Sequence, residues 1–149
     1  MRLPVMLTAE PRPPSRLTER AKPTRRSLRV LVVDDNVDTA ETLTMLLKES
    51  GYDVRTAHDG PTALEAALDY RPNVMLLDIG LPGLDGFEVA KRMRQQPILQ
   101  KVVLVAMTGY GQDADRQRSQ EAGFDHHLVK PVDFGNVEQI LAIAAEKAT

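Results

Sequence analysis

Five residues with chemically useful side chains each lie at the end of an apolar run in this sequence. Asp34 and Asp35 come after VLVV, and Asp78 comes after VMLL. Thr108 follows VLVAM, and Lys130 follows HLV. An ionisable side chain directly behind a buried run is costly unless it is paired or binds a ligand. The pattern therefore predicts that these side chains serve one common site.

Three carboxylates brought together require a positive partner. Two carboxylates about 4 Å apart repel each other by about 4 kcal/mol at an effective dielectric constant of about 20. An all-oxygen ligand set suits a hard divalent ion, and we expect Mg²⁺, held by one or two carboxylates with waters and a phosphoryl oxygen. Lys130 can supply a point charge to a phosphate, and the Thr108 hydroxyl can donate to it. Phosphoryl transfer needs these parts and a nucleophile, a role that fits Asp78.

Taken singly, each of these residues has a simpler explanation. An Asp-Asp pair after a strand is most often a turn and a helix cap. A Thr at a strand end is usually structural, and a Lys-Pro pair is usually a solvated loop. Their occurrence after four different strand candidates of one short chain favours the functional interpretation.

The apolar runs predict five short β-strands, and helical patterns lie between and after them. The strand candidates are Arg29–Val33, Val54–Ala57, Val74–Leu77, Val102–Met107 and Leu128–Val129. Capping and breaking residues predict where the helices begin and end. Asn36 caps the first helix, Gly51 ends it, Gly60 opens the second, Pro97 closes the third and Gly123 closes the fourth. In the fourth stretch, GQDADRQRSQEAG, only the alanines are expected to face a core.

Strands that alternate with helices imply right-handed βαβ units and a parallel sheet covered on both faces. We therefore expect a doubly wound α/β fold with five strands in the order 2-1-3-4-5, as in flavodoxin-like folds. Ligands of such sheets bind beyond the carboxyl ends of the strands. The polar residues named above would converge at that edge.

Composition narrows the class of protein. The chain has 149 residues, enough for one domain, and 42% of them are hydrophobic. It has no cysteine, which excludes disulfides, thiolate metal sites and thiol nucleophiles. No apolar run approaches the roughly 18 residues of a membrane span, so we expect a cytoplasmic protein that does not bind membranes.

The charge is divided unevenly along the chain. Residues 1–27 contain seven Lys/Arg, two Asp/Glu, five of the ten prolines and no glycine. We expect this part to be a disordered basic arm or linker, dispensable for folding, that precedes a domain at 28–149. The net charge of that domain is −7, which argues against nucleic-acid binding by the domain itself.

Four ordered motifs carry a resemblance to a known family. They are VVDDN, LLDIGLPGLDGFE, AMTGY and HLVKP, and they span about Leu28 to Ala145. With them the chain resembles the receiver domain of bacterial two-component response regulators, of the chemotaxis type with a single domain. The resemblance implies signalling by phosphorylation rather than a separate enzymatic activity.

The resemblance assigns roles to residues of this chain. Asp34 and Asp35 match the acidic metal pair, Asp78 the phosphoacceptor, and Gly80 the residue whose backbone carbonyl completes the metal site. In the same way, Thr108 and Lys130 match the switch hydroxyl and the phosphate-binding lysine, with a cis peptide bond expected before Pro131. A sensor histidine kinase or phosphotransfer protein would donate the phosphoryl group. A downstream protein would bind the face formed by the fourth helix, fifth strand and fifth helix.

Two positions depart from the family pattern. His127 stands where a switch Tyr or Phe is usual, and Tyr110, two residues after Thr108, is a candidate shield of the phosphoryl site. The pair His126 and His127 could suggest a metal site. Adjacent residues on a strand point to opposite faces, however, so two-point chelation is not favoured.

Three alternatives compete with a stand-alone receiver. The chain could be the C-terminal receiver of a hybrid histidine kinase, with the arm as a linker. An aspartyl-phosphate phosphatase would need a second acid two residues after its nucleophile, where this chain has Gly80. A dinucleotide-binding domain would need G-x-G-x-x-G after the first strand, and this motif is missing. Only EKAT follows the fifth helical pattern, so we expect no DNA-binding domain at that end.

Overall fold

The computed structural model describes residues 28–109 and 113–147. Strands and helices alternate along these ranges, as the sequence predicts. The strands are β1 (Arg29–Val33), β2 (Asp53–Ala57), β3 (Val74–Asp78), β4 (Val103–Thr108) and β5 (His126–Val129). The α-helices are α1 (Val37–Glu49), α2 (Gly60–Tyr70), α3 (Gly86–Arg94), α4 (Asp113–Ala122) and α5 (Phe134–Lys147).

The strands form one parallel sheet in the order β2-β1-β3-β4-β5. The flavodoxin-like order 2-1-3-4-5 is therefore confirmed. In the register of the sheet, Val33 pairs with both Ala57 and Leu77, and Asp78 pairs with Met107. The carboxyl ends of β1, β3 and β4 therefore meet at one edge.

Hydrophobic cores cover both faces of the sheet. Successive residues of β3 alternate between them, so that Leu77 belongs to the core on the side of α2 and α3, and Leu76 to the core on the side of α1 and α5. Both side chains are fully buried. Burying a leucine side chain contributes about 1.5–3 kcal/mol, so β3 is anchored from both sides. This anchoring gives Asp78, its last residue, a rigid base.

Polar side chains cap the first three helices. Asn36 accepts a hydrogen bond from the backbone N–H of Thr39, and Asp59 accepts one from the N–H of Thr62. Asp85 caps α3 in the same way. Each cap satisfies a backbone donor that the first helical turn leaves without a partner.

The boundaries of several elements differ from the sequence prediction, and β2 and β3 are each one residue longer than predicted. Helix α3 ends at Arg94, and Pro97 opens a 3₁₀ turn, Pro97–Leu99, instead of closing α3. Proline is well suited to such a first position because its missing N–H is not needed there. Strand β4 lies one residue later than predicted, and β5 starts at His126 rather than Leu128.

Helix α4 packs through more than its alanines, which corrects the sequence expectation. Ser119 and Ala122 are both buried, and the guanidinium of Arg118 lies 4.1 Å from the ring centroid of Phe87 on α3. A cation over an aromatic face adds about 0.5–1 kcal/mol at an exposed position. The helix therefore docks with polar residues where its sequence lacks apolar ones.

Arg94 ties the end of α3 to the segment before β5. Its guanidinium donates to the carbonyl oxygens of Gly123, Gln100 and Val102 and to the carboxylate of Asp125. The same Asp125 carboxylate accepts from the backbone N–H of Leu104 on β4. One side chain thus links α3, β4 and the α4–β5 connection.

Within the described ranges, no helix combines the length and the apolar character that a membrane span requires.

Candidate functional site

Asp34 follows the last residue of β1 and is completely buried. Its backbone N–H donates to the carbonyl of Ala57, which extends the pairing of β1 with β2 by one residue. Its carboxylate accepts from the backbone N–H of Asn36 through Oδ1 and from Lys130 through Oδ2, both at 2.9 Å. The side chain is therefore fixed from two directions.

Asp78 ends the central strand β3 and is 6% exposed. Its Oδ1 accepts from the backbone N–H of Gly80 at 2.9 Å, and its Oδ2 lies 3.2 Å from Nζ of Lys130. A carboxylate at the end of such a strand is tolerated because a backbone donor and an ammonium group compensate part of its lost hydration.

The loop after Asp78 is closed at its base, where the start of α3 contacts the residues at the end of β3. The backbone N–H of Gly86, the first residue of α3, donates to the carbonyl of Ile79. A Cβ atom at Gly86 would lie 2.5 Å from Cα of Ile79 and 2.6 Å from the carbonyl oxygen of Asp78. Only glycine permits this approach. At the loop's far end, Gly83 has a φ of +72° and open space around it.

Asp34, Asp35 and Asp78 form one acidic cluster. One carboxylate oxygen from each lies within 4.8 Å of those from the other two. Asp34 and Asp78 are buried, whereas Asp35 is exposed at the rim. The sequence analysis predicted this cluster from strand ends alone.

Burial raises the pKa of Asp78 above its ordinary value, and the neighbouring charge of Asp34 acts in the same direction. The Gly80 N–H and the Lys130 ammonium oppose this shift without cancelling it. For Lys130, burial alone would lower the pKa, but the hydrogen bond to Asp34 and the charges of Asp78 and Asp34 raise it. Lys130 is therefore a cation, and the acidic cluster still lacks positive charge.

Thr108 and Lys130 lie on adjacent strands at the same edge. Thr108 ends β4 with 2% exposure, and its carbonyl accepts from the backbone N–H of Lys130 at 2.7 Å. The Lys130–Pro131 peptide bond is cis. The structure therefore brings together Asp34, Asp35, Asp78, Thr108 and Lys130 at the carboxyl edge of the sheet.

One candidate, His127, stands apart from this group. His127 is half-buried within β5 and pairs with Ala106, two residues before Thr108, so it lies behind the edge rather than on it. Tyr110, the candidate shield, falls outside the described residues, as does the arm at 1–27.

The sequence analysis missed His58, which follows β2 at the same edge. Its Nδ1 lies 3.0 Å from the backbone oxygen of Asp34. The signal in the sequence is its position, since His58 directly follows the strand candidate Val54–Ala57 as the other site residues follow theirs.

The donor set fits a hard divalent cation. Three carboxylates with oxygen atoms this close match the ligands of Mg²⁺, and the exposed Asp35 leaves one side open to water. No cysteine is available in the chain, and no His nitrogen belongs to the cluster within the described part, which argues against a softer metal.

Comparison with known proteins identifies the family. The family model of the response regulator receiver domain matches residues 30–142. The chain therefore belongs to the response regulator receiver domain family.

A relative found by sequence comparison is also a response regulator. The chain is 38% identical over 107 residues to response regulator PleD of Caulobacter vibrioides, an alignment that covers 72% of this chain and 24% of PleD. This chain thus matches about a quarter of that relative's length.

Solved structures share the fold. A putative response regulator from Chloroflexus aurantiacus superposes with a TM-score of 0.71 at 34% identity, over 77% of this chain and 98% of that one. The receiver domain of sensor histidine kinase PA1611 from Pseudomonas aeruginosa has a TM-score of 0.74 at 28% identity, over 80% and 98%. That structure has a magnesium ion in its active site cleft.

Proposed function

We propose that Asp78 is the phosphoacceptor of this receiver domain and that its donor is a phosphohistidine of a sensor histidine kinase or phosphotransfer protein. One observation carries the proposal. The buried carboxylate of Asp78 lies at the end of the central strand, next to both Asp34 and Asp35 and 3.2 Å from Nζ of Lys130.

In the proposed reaction, a carboxylate oxygen of Asp78 attacks the phosphorus atom. A P–O bond forms to give an acyl phosphate, the P–N bond to the donor imidazole breaks, and the departing imidazole takes up a proton from solvent. Lys130 already lies against Asp78, so its ammonium can follow the developing charge on the phosphoryl oxygens. The Thr108 hydroxyl, at the end of the next strand, is the proposed donor to another of these oxygens.

The proposed metal ligands are the carboxylates of Asp34, Asp35 and Asp78 and the backbone carbonyl of Gly80. When bound, Mg²⁺ supplies positive charge that offsets the repulsion among the carboxylates and the incoming phosphoryl group.

Labelling with acetyl phosphate tests the proposal, with and without Mg²⁺. Intact-mass measurement should show one added phosphoryl group on the wild type with Mg²⁺ and none on Asp78→Asn. Asp85→Asn, which changes a carboxylate capping α3, is the matched control and should label like the wild type. Equal labelling of Asp78→Asn and wild type would refute the assignment.

A second candidate is the receiver domain of a hybrid histidine kinase. The likeness to the PA1611 receiver domain supports it. Phosphotransfer profiling separates the two candidates: a stand-alone receiver should take phosphate fastest from a separate kinase. A hybrid receiver should exchange phosphate fastest with a phosphotransfer protein.

The proposed downstream partner binds the face formed by α4, β5 and α5. Val129 and Ile143 are exposed there, at 41% and 43%. We propose that phosphorylation changes this face through Thr108 and His127.

A further inference from the structure

His58 contacts the peptide group that joins the two proposed metal ligands Asp34 and Asp35. The Asp34 carbonyl lies 3.0 Å from Nδ1 of the His58 ring. A carbonyl oxygen can only accept a hydrogen bond, so Nδ1 must carry the proton. The imidazole therefore donates a hydrogen bond to the peptide group that connects the two residues carrying these carboxylates.

The other polar groups of Asp34 are held by other parts of the fold. Its N–H donates to Ala57, and its carboxylate is bound by the N–H of Asn36 and by Lys130. The Asn36 bond spans Asp35 and therefore also limits the movement of the Asp34–Asp35 peptide. The carbonyl side of that peptide is held by the His58 ring.

Asp35 depends on that peptide group more than Asp34 does. Among the described residues, its carboxylate makes no hydrogen bond or ion pair, and the side chain is exposed. Its position at the cluster is consequently set by its backbone. A rotation of the Asp34–Asp35 peptide would change the position of the Asp35 carboxylate relative to Asp78.

His58 is itself placed on a rigid connection. Ala57 before it is paired with Val33 in the sheet, and Asp59 after it caps α2 by accepting from the N–H of Thr62. The ring is half-buried. The β2–α2 connection can therefore act as a fixed support for the loop that carries the acids.

We propose that His58 is a positioning residue of the metal site, which orients Asp35 by holding the Asp34–Asp35 peptide. The inference rests on the proposed function, since it concerns the same Mg²⁺ site. A group behind the metal ligands commonly changes metal affinity by about 10–100-fold when it is removed.

Titration with Mg²⁺ alone, followed by amide NMR shifts and calorimetry, tests the proposal. His58→Ala should weaken Mg²⁺ binding by about tenfold, at the low end of that range. His58→Asn places an amide N–H near the position of Nδ1 and should restore affinity to within about threefold of the wild type. His58→Gln places its N–H farther out and should behave like His58→Ala. Thr56→Ala, an exposed change on β2, is the control.

The outcomes separate this proposal from the proposed function. If the wild type binds Mg²⁺ and His58→Ala binds equally well, His58 has no positioning role although the metal site stands. If His58→Asn binds no better than His58→Gln, the hydrogen bond is not the cause and the proposal is overturned. A wild type that does not bind Mg²⁺ would overturn both proposals.

A spectroscopic measurement tests the contact without any metal. Long-range ¹H–¹⁵N correlation spectra of the wild type at neutral pH should show a protonated Nδ1 on His58. An Nδ1 without a proton cannot donate to the Asp34 carbonyl, and that result would also overturn the proposal.

Discussion

The ammonium of Lys130 lies 2.9 Å from Oδ2 of Asp34, a carboxylate with no exposed surface. The two residues are 96 positions apart and belong to segments that follow β5 and β1. The same Nζ is 3.2 Å from Asp78. One cation from the far end of the chain therefore compensates two acids at the centre of the sheet.

Replacing Lys130 with methionine should destabilise the metal-free protein. Removing one partner of a buried ion pair costs about 3–5 kcal/mol, and because the Lys130 side chain is 27% exposed we expect a loss of about 2 kcal/mol. Urea unfolding in EDTA measures it. Lys101→Met, at an exposed position, should change the free energy of unfolding by less than about 0.5 kcal/mol. Equal effects of the two changes would contradict the compensating role.

The pH dependence of stability should report on Asp78. Burial raises its folded-state pKa, so the folded protein holds this proton more tightly than the unfolded chain does. In the metal-free protein, this contribution to stability is therefore present at low pH. It is lost as the pH rises from the ordinary value of 3.8 through the raised pKa.

Asp78→Asn removes that ionisation and should be more stable than the wild type at neutral pH in EDTA. Urea unfolding at a series of pH values measures the difference, which should shrink toward acid pH. A difference that does not vary with pH would mean that Asp78 has no raised pKa.

His127→Ala should separate phosphorylation from its readout. Asp78 should label normally, because His127 lies behind the site edge on β5. Amide shift changes induced by a beryllofluoride mimic should spread from Asp78 to Thr108, His127 and residues 111–122 in the wild type, and should shrink beyond Thr108 in the mutant.

His126→Ala is the matched control, since the adjacent residue on a strand points to the opposite face. It should leave the distant shift changes intact. If His127→Ala and wild type show the same distant changes, the signal runs through Thr108 and the loop at Tyr110 instead.

Arg94→Lys should lower the free energy of unfolding by about 2–3 kcal/mol. A lysine cannot reproduce the planar guanidinium that serves three carbonyls and one carboxylate. Arg92→Lys tests the same chemistry at an exposed pair with Glu88, 3.9 Å away, and should cost less than about 0.5 kcal/mol. Similar losses in both variants would show that the network of Arg94 is not the cause.

The ends of the strands could be predicted well because an apolar run and the polar residue directly after it are local features of a sequence. The carboxyl edge of β1, β3 and β4 follows from them, and so does the proximity of Asp34 and Asp78. The start of β5 could not be predicted from an apolar run. His126 and His127 are not apolar, yet they pair with Val105 and Ala106 of β4.

Several side-chain contacts between distant residues escaped the sequence analysis. The bonds of Arg94 reach 29 residues ahead to Gly123, and Arg118 packs on Phe87 of another helix. The contact of His58 with Asp34 joins two loops across 24 residues. No periodicity records such pairings, because tertiary packing decides them.

The hydrogen bond between Gly86 and Ile79 has a practical consequence for protein engineering. It closes the base of the loop that follows β3 and holds the two ends of that loop together. Lengthening such a loop costs only about 0.6 kcal/mol for each doubling. A short epitope or reporter sequence inserted after Gly83, where the tip is exposed, should leave the acidic cluster in place. The tip is therefore an attachment point for a probe within a few residues of Asp78.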